Sequence, residues 1–340
     1  MKVDGGLGPT LSQDLSTFGA QAAELQGAGY DGIWTAETNH DPFLPLLLAA
    51  ETTTEVDLGT GIAVAFSRSP MTLAATANDL QAFSGGRFIL GLGSQIKPHI
   101  EKRFSMPWSH PAPRMREFIL AMRAIWDCWN HDTKLDFRGD FYSHTLMTPF
   151  FNPGPNPFGP PRVFLAAVGE KMTEVAGEVC DGFICHAFTT ERYLREVTVP
   201  ALERGAARGG RSLADIEISG PAFVVTGSDE GSLEQSKAAT RQQIAFYAST
   251  PAYKAVLDLH GWGDLQGELN AMSKAGRWVE MADLIDEDML DAFAVVAEPG
   301  RIAAEFKERF GDVVDRLSFY APYRTDPDTW LPVLAALQQD

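Results

Sequence analysis

Gly86-Arg87-Phe88-Ile89-Leu90-Gly91-Leu92-Gly93-Ser94-Gln95 is the stretch on which the reading of this chain turns. An apolar run of buried-strand length breaks into alternating glycines and ends in two polar residues. Glycine has no Cβ, so a strand ending this way lets a ligand come close to its backbone. A lone Gly-x-Gly is weak evidence. It gains weight here because similar apolar runs, each followed by a helix-like segment, recur along the chain.

On the N-terminal side, strands are expected over residues 2–8, 30–36 and 58–66. Helical spacing covers 12–28, 44–54 and 70–83, with Pro70 near the start of the last. On the C-terminal side an amphipathic helix spans 113–129, and the rhythm then breaks. Residues 136–142 look like a hairpin, and 152–161 have the proline-rich composition of an ordered loop. Strands return at 162–168, 182–186 and 216–226, with helices at 171–179, 191–207 and 231–247. Helical pieces over 250–288 form a second excursion. An apolar run at 292–297 then leads into a helix over 299–310 and a final strand at 316–321. Eight main strands alternating with helices point to an α/β fold, a (β/α)8 TIM barrel. Insertions are expected after strand 4 and strand 7, about residues 130–161 and 250–288, within a single domain spanning 1–340.

Acidic residues outnumber basic ones 45 to 28, and the net charge of -17 repels nucleic acid and anionic membrane, so neither is an expected partner. No apolar stretch approaches the roughly 20 residues that span a bilayer. Cys128, Cys180 and Cys185 have no metal-ligand spacing, and the histidines lack a helical His-x3-His pattern, so no metal site is expected. The chain starts directly on a strand-like segment without a charged or apolar leader, and a cytoplasmic location is the expectation.

In a barrel the functional end is the C-terminal end of the strands. The candidates are therefore Gly5 to Gly8, Glu37 to Asp41, Ala65 to Arg68, Ser94, Gln95, Lys97, Gly169 to Lys171, His186, Thr189, Thr226, Gly227 and Tyr320 to Tyr323. His40 stands out because it shares a loop with Glu37 and Asp41, and an imidazole beside carboxylates exchanges a proton near neutral pH. His99, His110, His144 and His260 lie in loops or insertions and are read as structural. Gly169 opens a helix with Lys171 two residues on, and a helix N-terminus favours an anion. Gly91 and Gly93 lack the third glycine of a dinucleotide fingerprint, since Ile96 stands there, and no phosphate loop of the Gly-x4-Gly-Lys type is present. Trp34, Phe43, Phe66 and Trp108 would suit an apolar substrate wall, and core packing would suit them equally.

Four passages stand in order along the chain. They are residues 29–37, ending in Glu37; Leu58-Gly59-Thr60-Gly61-Ile62-Ala63 followed by Arg68-Ser69-Pro70; residues 84–93; and Val168-Gly169-Glu170-Lys171-Met172 running on to Phe183. Together they resemble the luciferase-like (bacterial luciferase) superfamily and, within it, the coenzyme F420-dependent oxidoreductases. The resemblance implies a (β/α)8 barrel, a homodimer, and a deazaflavin ring held at the C-terminal mouth. It implies that Gly61-Ile62 is a non-proline cis peptide in a bulge behind the ring, with Ser94 and Gln95 lining ring or ribityl chain. Val168, Gly169, Lys171 and Met172 would flank the ribityl-phosphate region, with His186 and Thr189 further along the tail. The implied activity is hydride transfer between the deazaflavin C5 and a small organic substrate, an alcohol/carbonyl pair or an activated C=C. The alternatives are an FMN-dependent monooxygenase and a non-catalytic cofactor-binding barrel. Two positions depart from the sugar-phosphate dehydrogenase type. Glu37-Thr38 replaces an aspartate-histidine pair, with His40 displaced by two, and Ile96 stands where that type carries glutamate. The expected proton-transfer group is therefore His40, with Glu37 second.

Overall fold

The computed structural model describes residues 1–7, 14–325 and 327–339. Gly8 and residues 12–13 of the first expected helix lie outside these. The eight main apolar runs form strands β1 (Lys2–Gly6), β2 (Gly32–Thr35), β3 (Asp57–Thr60), β4 (Phe88–Gly93), β5 (Arg162–Ala167), β6 (Gly182–Cys185), β7 (Glu217–Val225) and β8 (Arg316–Tyr320). Each pairs in parallel with the next, β8 pairs with β1, and the sheet closes on itself. This is a (β/α)8 barrel. A further short parallel strand, Ala294–Val296, adds to the upper end of β7.

Alternation along each strand sends one set of side chains out to the helices and the other into the barrel. Ile33, Leu58, Val163, Leu165, Ile218 and Leu317 point outward and are buried beneath the helices. Burying an aliphatic side chain of this size contributes about 1.5–3 kcal/mol. The inner set is unlike an ordinary apolar core. Arg316, fully buried, makes a two-point contact with Asp4, at 2.8 Å from Nε and 2.7 Å from Nη2. Its Nη1 reaches Asp57 at 2.6 Å and Glu217 at 2.9 Å. Arg162 bonds the same two carboxylates at 2.7 and 2.8 Å, and Lys2 joins Asp57 at 3.2 Å. Three cations thus face three carboxylates across β1, β3, β5, β7 and β8. Burial alone would raise the Asp57 pKa, but Arg162 and Arg316 hold it below the ordinary carboxylate value. Gly32 is the space-maker, since a Cβ there would collide with Arg316 and Asp4.

The expected strand over 58–66 is corrected. β3 stops at Thr60, the Gly61–Ile62 peptide is cis, and the chain resumes pairing at Ala63–Val64 before a helical turn at Ala65–Ser67. The reading of Gly91 and Gly93 as room for a ligand is corrected too. A Cβ on Gly91 would collide with the Thr60 carbonyl, and one on Gly93 would lie 2.8 Å from Ile62 Cδ1. Both glycines make room for the neighbouring strand's bulge.

The helices include α1 (Phe18–Gly27), α2 (Phe43–Thr52), α3 (Pro70–Phe83), α4 (Pro111–His131), α5 (Glu170–Val179), α6 (Val199–Arg208) and α7 (Glu230–Ala248). The helix after α3, Pro111–His131, carries Glu117, whose carboxylate accepts the Asp140, Phe141 and Tyr142 N–H groups and so pins the first insertion. The hairpin there pairs Phe137–Arg138 with Ser143–His144, so residues 139–142 are its turn. The second insertion is helical at Lys254–Leu259 and Leu265–Lys274. The helix expected from 299 begins at Ile302. Sequence reading missed the terminal helix Trp330–Gln338, whose Val333, Leu334 and Leu337 bury with Val3 of β1. No helix among the described residues is long and apolar enough to cross a membrane.

Replacing Arg316 by Met leaves Asp4 buried without its cation, a change that typically costs about 3–5 kcal/mol. The double variant carrying Asp4→Leu as well should recover much of that loss, because the orphaned charge goes with it. Urea unfolding of the three proteins checks this, and a single variant as stable as the parent would refute the role given to the pair.

Candidate active site

One layer above the ionic floor, the inner positions open to solvent. Gly6, Trp34, Ala166, Ile184 and Ser318 keep exposure, while their outward neighbours Ile33, Leu165, Cys185 and Leu317 are buried. The barrel is therefore closed at its N-terminal end by charge and open at the C-terminal end of its strands. Arg316 lies 5.7 Å from the Trp34 ring, which covers the ion pair from above.

Beside Trp34, the wall built by β1 to β5 carries mostly small groups. Gly6, Gly61, Ser94 and Ala166 line it, with Ile62 projecting from the bulge. Glu37 holds that bulge: its N–H donates to the Ile62 carbonyl at 3.1 Å, and its Oε2 accepts the Val64 N–H at 2.7 Å. The same oxygen takes Arg68 Nη1 at 2.6 Å, and Arg68 Nη2 reaches Asp41 at 3.0 Å. Glu37 and Asp41 thus meet at Arg68 and not at the imidazole of His40, because a guanidinium offers two donors in a plane where an imidazole offers one. His40 stands edge-on to Phe18 of α1, ring centroids 6.4 Å apart, and its buried Nε2 has no partner among the described residues. Gln95 leaves β4 with φ of 59°, a left-handed turn, and its Oε1 accepts the Ile96 N–H at 3.0 Å.

At the end of β5, Gly169 caps α5 through backbone alone, with no side-chain cap and with open space where a Cβ would stand. Glu170 turns away to Arg204, and Lys171 is exposed beside the uncapped first-turn N–H groups. Tyr193 donates to the Val168 carbonyl at 3.2 Å and ties this end of β5 to the segment after β6. Small cradle, open helix end and the Ile62 side chain behind them together fit a planar ring with an anionic tail.

The opposite wall is aromatic. His186, the residue after β6, packs against Tyr253 at 4.6 Å and Tyr247 at 4.8 Å between centroids. Its Nδ1 accepts the Phe188 N–H at 3.0 Å and its Nε2 bonds the Tyr253 hydroxyl at 3.1 Å. Both ring nitrogens are thus engaged by residues of the chain itself. Thr189 stays beside it around a small cavity shared with Val168 and Tyr193. Tyr247 and Tyr320 share a hydroxyl contact of 3.0 Å. Tyr320 was visible as a strand-end residue. Tyr247 and Tyr253 were missed, because they arrive from α7 and the second insertion, where no strand-end rule points to them.

Of the aromatic residues proposed for a substrate wall, Trp34 lines the opening. Phe43 and Phe66 are core, packed on Phe88 and Trp108 at 6.4 and 5.7 Å. A wider cavity of about 790 Å³, lined by Lys2, Glu217 and Asp315 among others, lies at the opposite end of the barrel. In this architecture that end serves stability.

Residues 2–316 match the family model described as luciferase-like monooxygenase. An uncharacterized protein of Mycobacterium tuberculosis is 56% identical over 317 residues, which cover 93% of this chain and 92% of that one. The 5,10-methylenetetrahydromethanopterin reductase of Methanolobus tindarius is 28% identical over 297 residues, 85% of this chain and 84% of its own. Among solved structures, the coenzyme F420-dependent tetrahydromethanopterin reductase of Methanopyrus kandleri shares the fold at a TM-score of 0.79. That match is at 20% identity over 98% of this chain and 96% of that one.

Burial pushes the His186 pKa from its ordinary 6.5 down to about 4. Between these values the unfolded chain binds a proton that the native one does not. Native stability is therefore full above the ordinary value and falls as pH drops toward the lower one. Urea midpoints followed from neutral pH downward should decline less steeply in His186→Phe than in the parent; equal slopes would contradict the assignment.

Proposed function

The chain belongs to the luciferase-like monooxygenase family, and on that premise we propose that it is an oxidoreductase using coenzyme F420. The observation that carries this reading is the divided mouth. One wall is mostly small and backed by the Ile62 bulge that Glu37 holds, the other is aromatic, and an uncapped helix end stands at the β5 rim. The cofactor dependence of the Methanopyrus enzyme with the same fold supports the choice of deazaflavin. When bound, the deazaflavin supplies or accepts a hydride at C5, chemistry that no amino-acid side chain provides.

The chain's own residues do the rest. Ile62, fixed by Glu37 and Gly93, backs the ring; Ser94 and Gln95 flank it; Val168, Gly169 and Met172 border the tail, and Lys171 with the α5 N-terminus receives its phosphate. Glu37 acts as a positioning residue, since Arg68 and the Val64 N–H already use one of its oxygens. His40 is the proposed proton-transfer group on the strand 2 side, its Nε2 being uncommitted among the described residues. The substrate is a small organic molecule that lies against the exposed face of the ring.

Fluorescence titration of the purified protein with coenzyme F420, and in parallel with FMN, tests the reading. Saturable quenching by the deazaflavin with weak flavin binding is expected. The family's monooxygenase description favours reduced flavin and oxygen as the second reading, and preferential FMN binding would select it. His40→Gln should slow hydride transfer by about 10²–10⁴-fold with little change in cofactor affinity, the range usual for loss of a general acid or base. Unaltered turnover in that variant would remove His40 from the chemistry.

A further inference from the structure

The aromatic wall has a hydrogen-bond inventory that can be counted. His186 Nδ1 accepts the Phe188 N–H, so that nitrogen carries no proton. Burial keeps the imidazole neutral, its pKa lowered to about 4, and a neutral imidazole has one N–H. That proton is therefore on Nε2, and it donates to the Tyr253 oxygen at 3.1 Å. The Tyr253 oxygen accepts from His186, and its own hydrogen has no acceptor among the described residues. Burial, with Tyr247 beside it, pushes the phenol up to about 12, so the hydrogen stays in place at working pH. Tyr247 and Tyr320 satisfy each other through one O–H, which leaves the other's hydrogen free of that contact.

The wall thus presents hydroxyl hydrogens that no described residue accepts. It is also uncharged: burial alone shifts His186, and burial together with Tyr247 shifts Tyr253 and Tyr320, with no ionised group contributing. A carboxylate or phosphate there would lose its hydration without gaining a cation. An uncharged carbonyl oxygen, by contrast, accepts such donors, and flat apolar surface beside it matches the rings. Tyr253 is held in place from its own side as well. Its turn, Pro251–Tyr253, follows Ser249, whose carbonyl accepts Gln266 and Asn270 at 3.1 and 2.9 Å.

We propose that Tyr253, oriented by His186, anchors the substrate oxygen in this mouth, and that the substrate class is an uncharged, flat carbonyl compound. This rests on the hydride-transfer reading and deepens it: the reduced deazaflavin would give a hydride to the carbonyl carbon and be oxidised, the oxygen would take a proton from the proton-transfer group proposed above, and a phenol donor at that oxygen draws electron density from the carbon.

The test uses three probes on the F420-loaded protein and its Tyr253→Phe variant, with binding followed by difference absorption: acetophenone, ethylbenzene and benzoate. Acetophenone should bind saturably, and benzoate should not. The variant should weaken acetophenone about tenfold, the size of one lost hydrogen bond, and leave ethylbenzene unchanged. Equal losses for both aromatic probes, no loss for either, or no acetophenone binding to the parent would overturn the proposal. Nitrogen NMR of the histidine rings should show His186 as the Nε2-protonated tautomer at neutral pH; the Nδ1-protonated form would also overturn it. Repeating the series without cofactor separates this result from the cofactor assignment, which fails on its own if the parent does not bind F420.

Discussion

Arg316 and Asp4 meet in the barrel interior although 312 positions separate them in the chain. They join the last strand to the first, and the rest of the ionic floor is arranged around them. An ion pair of this kind adds little net stability over a well-packed apolar alternative, but it heavily penalises any arrangement that leaves one charge alone. A one-residue slip of β8 would turn Arg316 outward and leave Asp4 buried without a cation. The pair therefore acts on register, and register is what brings Ser318 and Tyr320 to the mouth.

From that floor upward, side-chain size divides the mouth. Glycine on one strand admits a bulky group from its neighbour. Gly32 admits the ion pair, and Gly91 and Gly93 admit the Thr60 carbonyl and Ile62. The bulge that results is fixed through Glu37 and Arg68, whose interactions also set the loop carrying His40. Across the opening, His186, Tyr247, Tyr253 and Tyr320 form a wall with hydrogen-bond donors and no net charge. A chain of net charge -17 thus keeps ionised groups in the floor, at the Glu37–Arg68 bulge and on the surface, while the aromatic wall carries none.

Much of this was legible in the chain itself. The alternation of apolar runs with helical segments determined a (β/α)8 barrel, because each run had the length of a strand and each helix a buried face. The Gly169 helix start was visible as a local pattern, since glycine placement and strand ends are short-range signals, whereas the Gly61-Ile62 bulge was implied only by the family resemblance and the local pattern gave an unbroken strand. What β4's glycines accommodate, however, depended on a strand some thirty residues away. Only the tertiary structure decided that Arg316 neutralises Asp4, that Glu37 and Asp41 turn to Arg68 instead of His40, and that Tyr253 reaches His186. Each of these is a pairing between residues far apart in the chain, and composition and periodicity carry no information about which distant charge or hydroxyl a buried group will find. The sequence by itself determined the barrel and the end at which its site lies; closure of the barrel decided the partners, because a charge buried without one is costly.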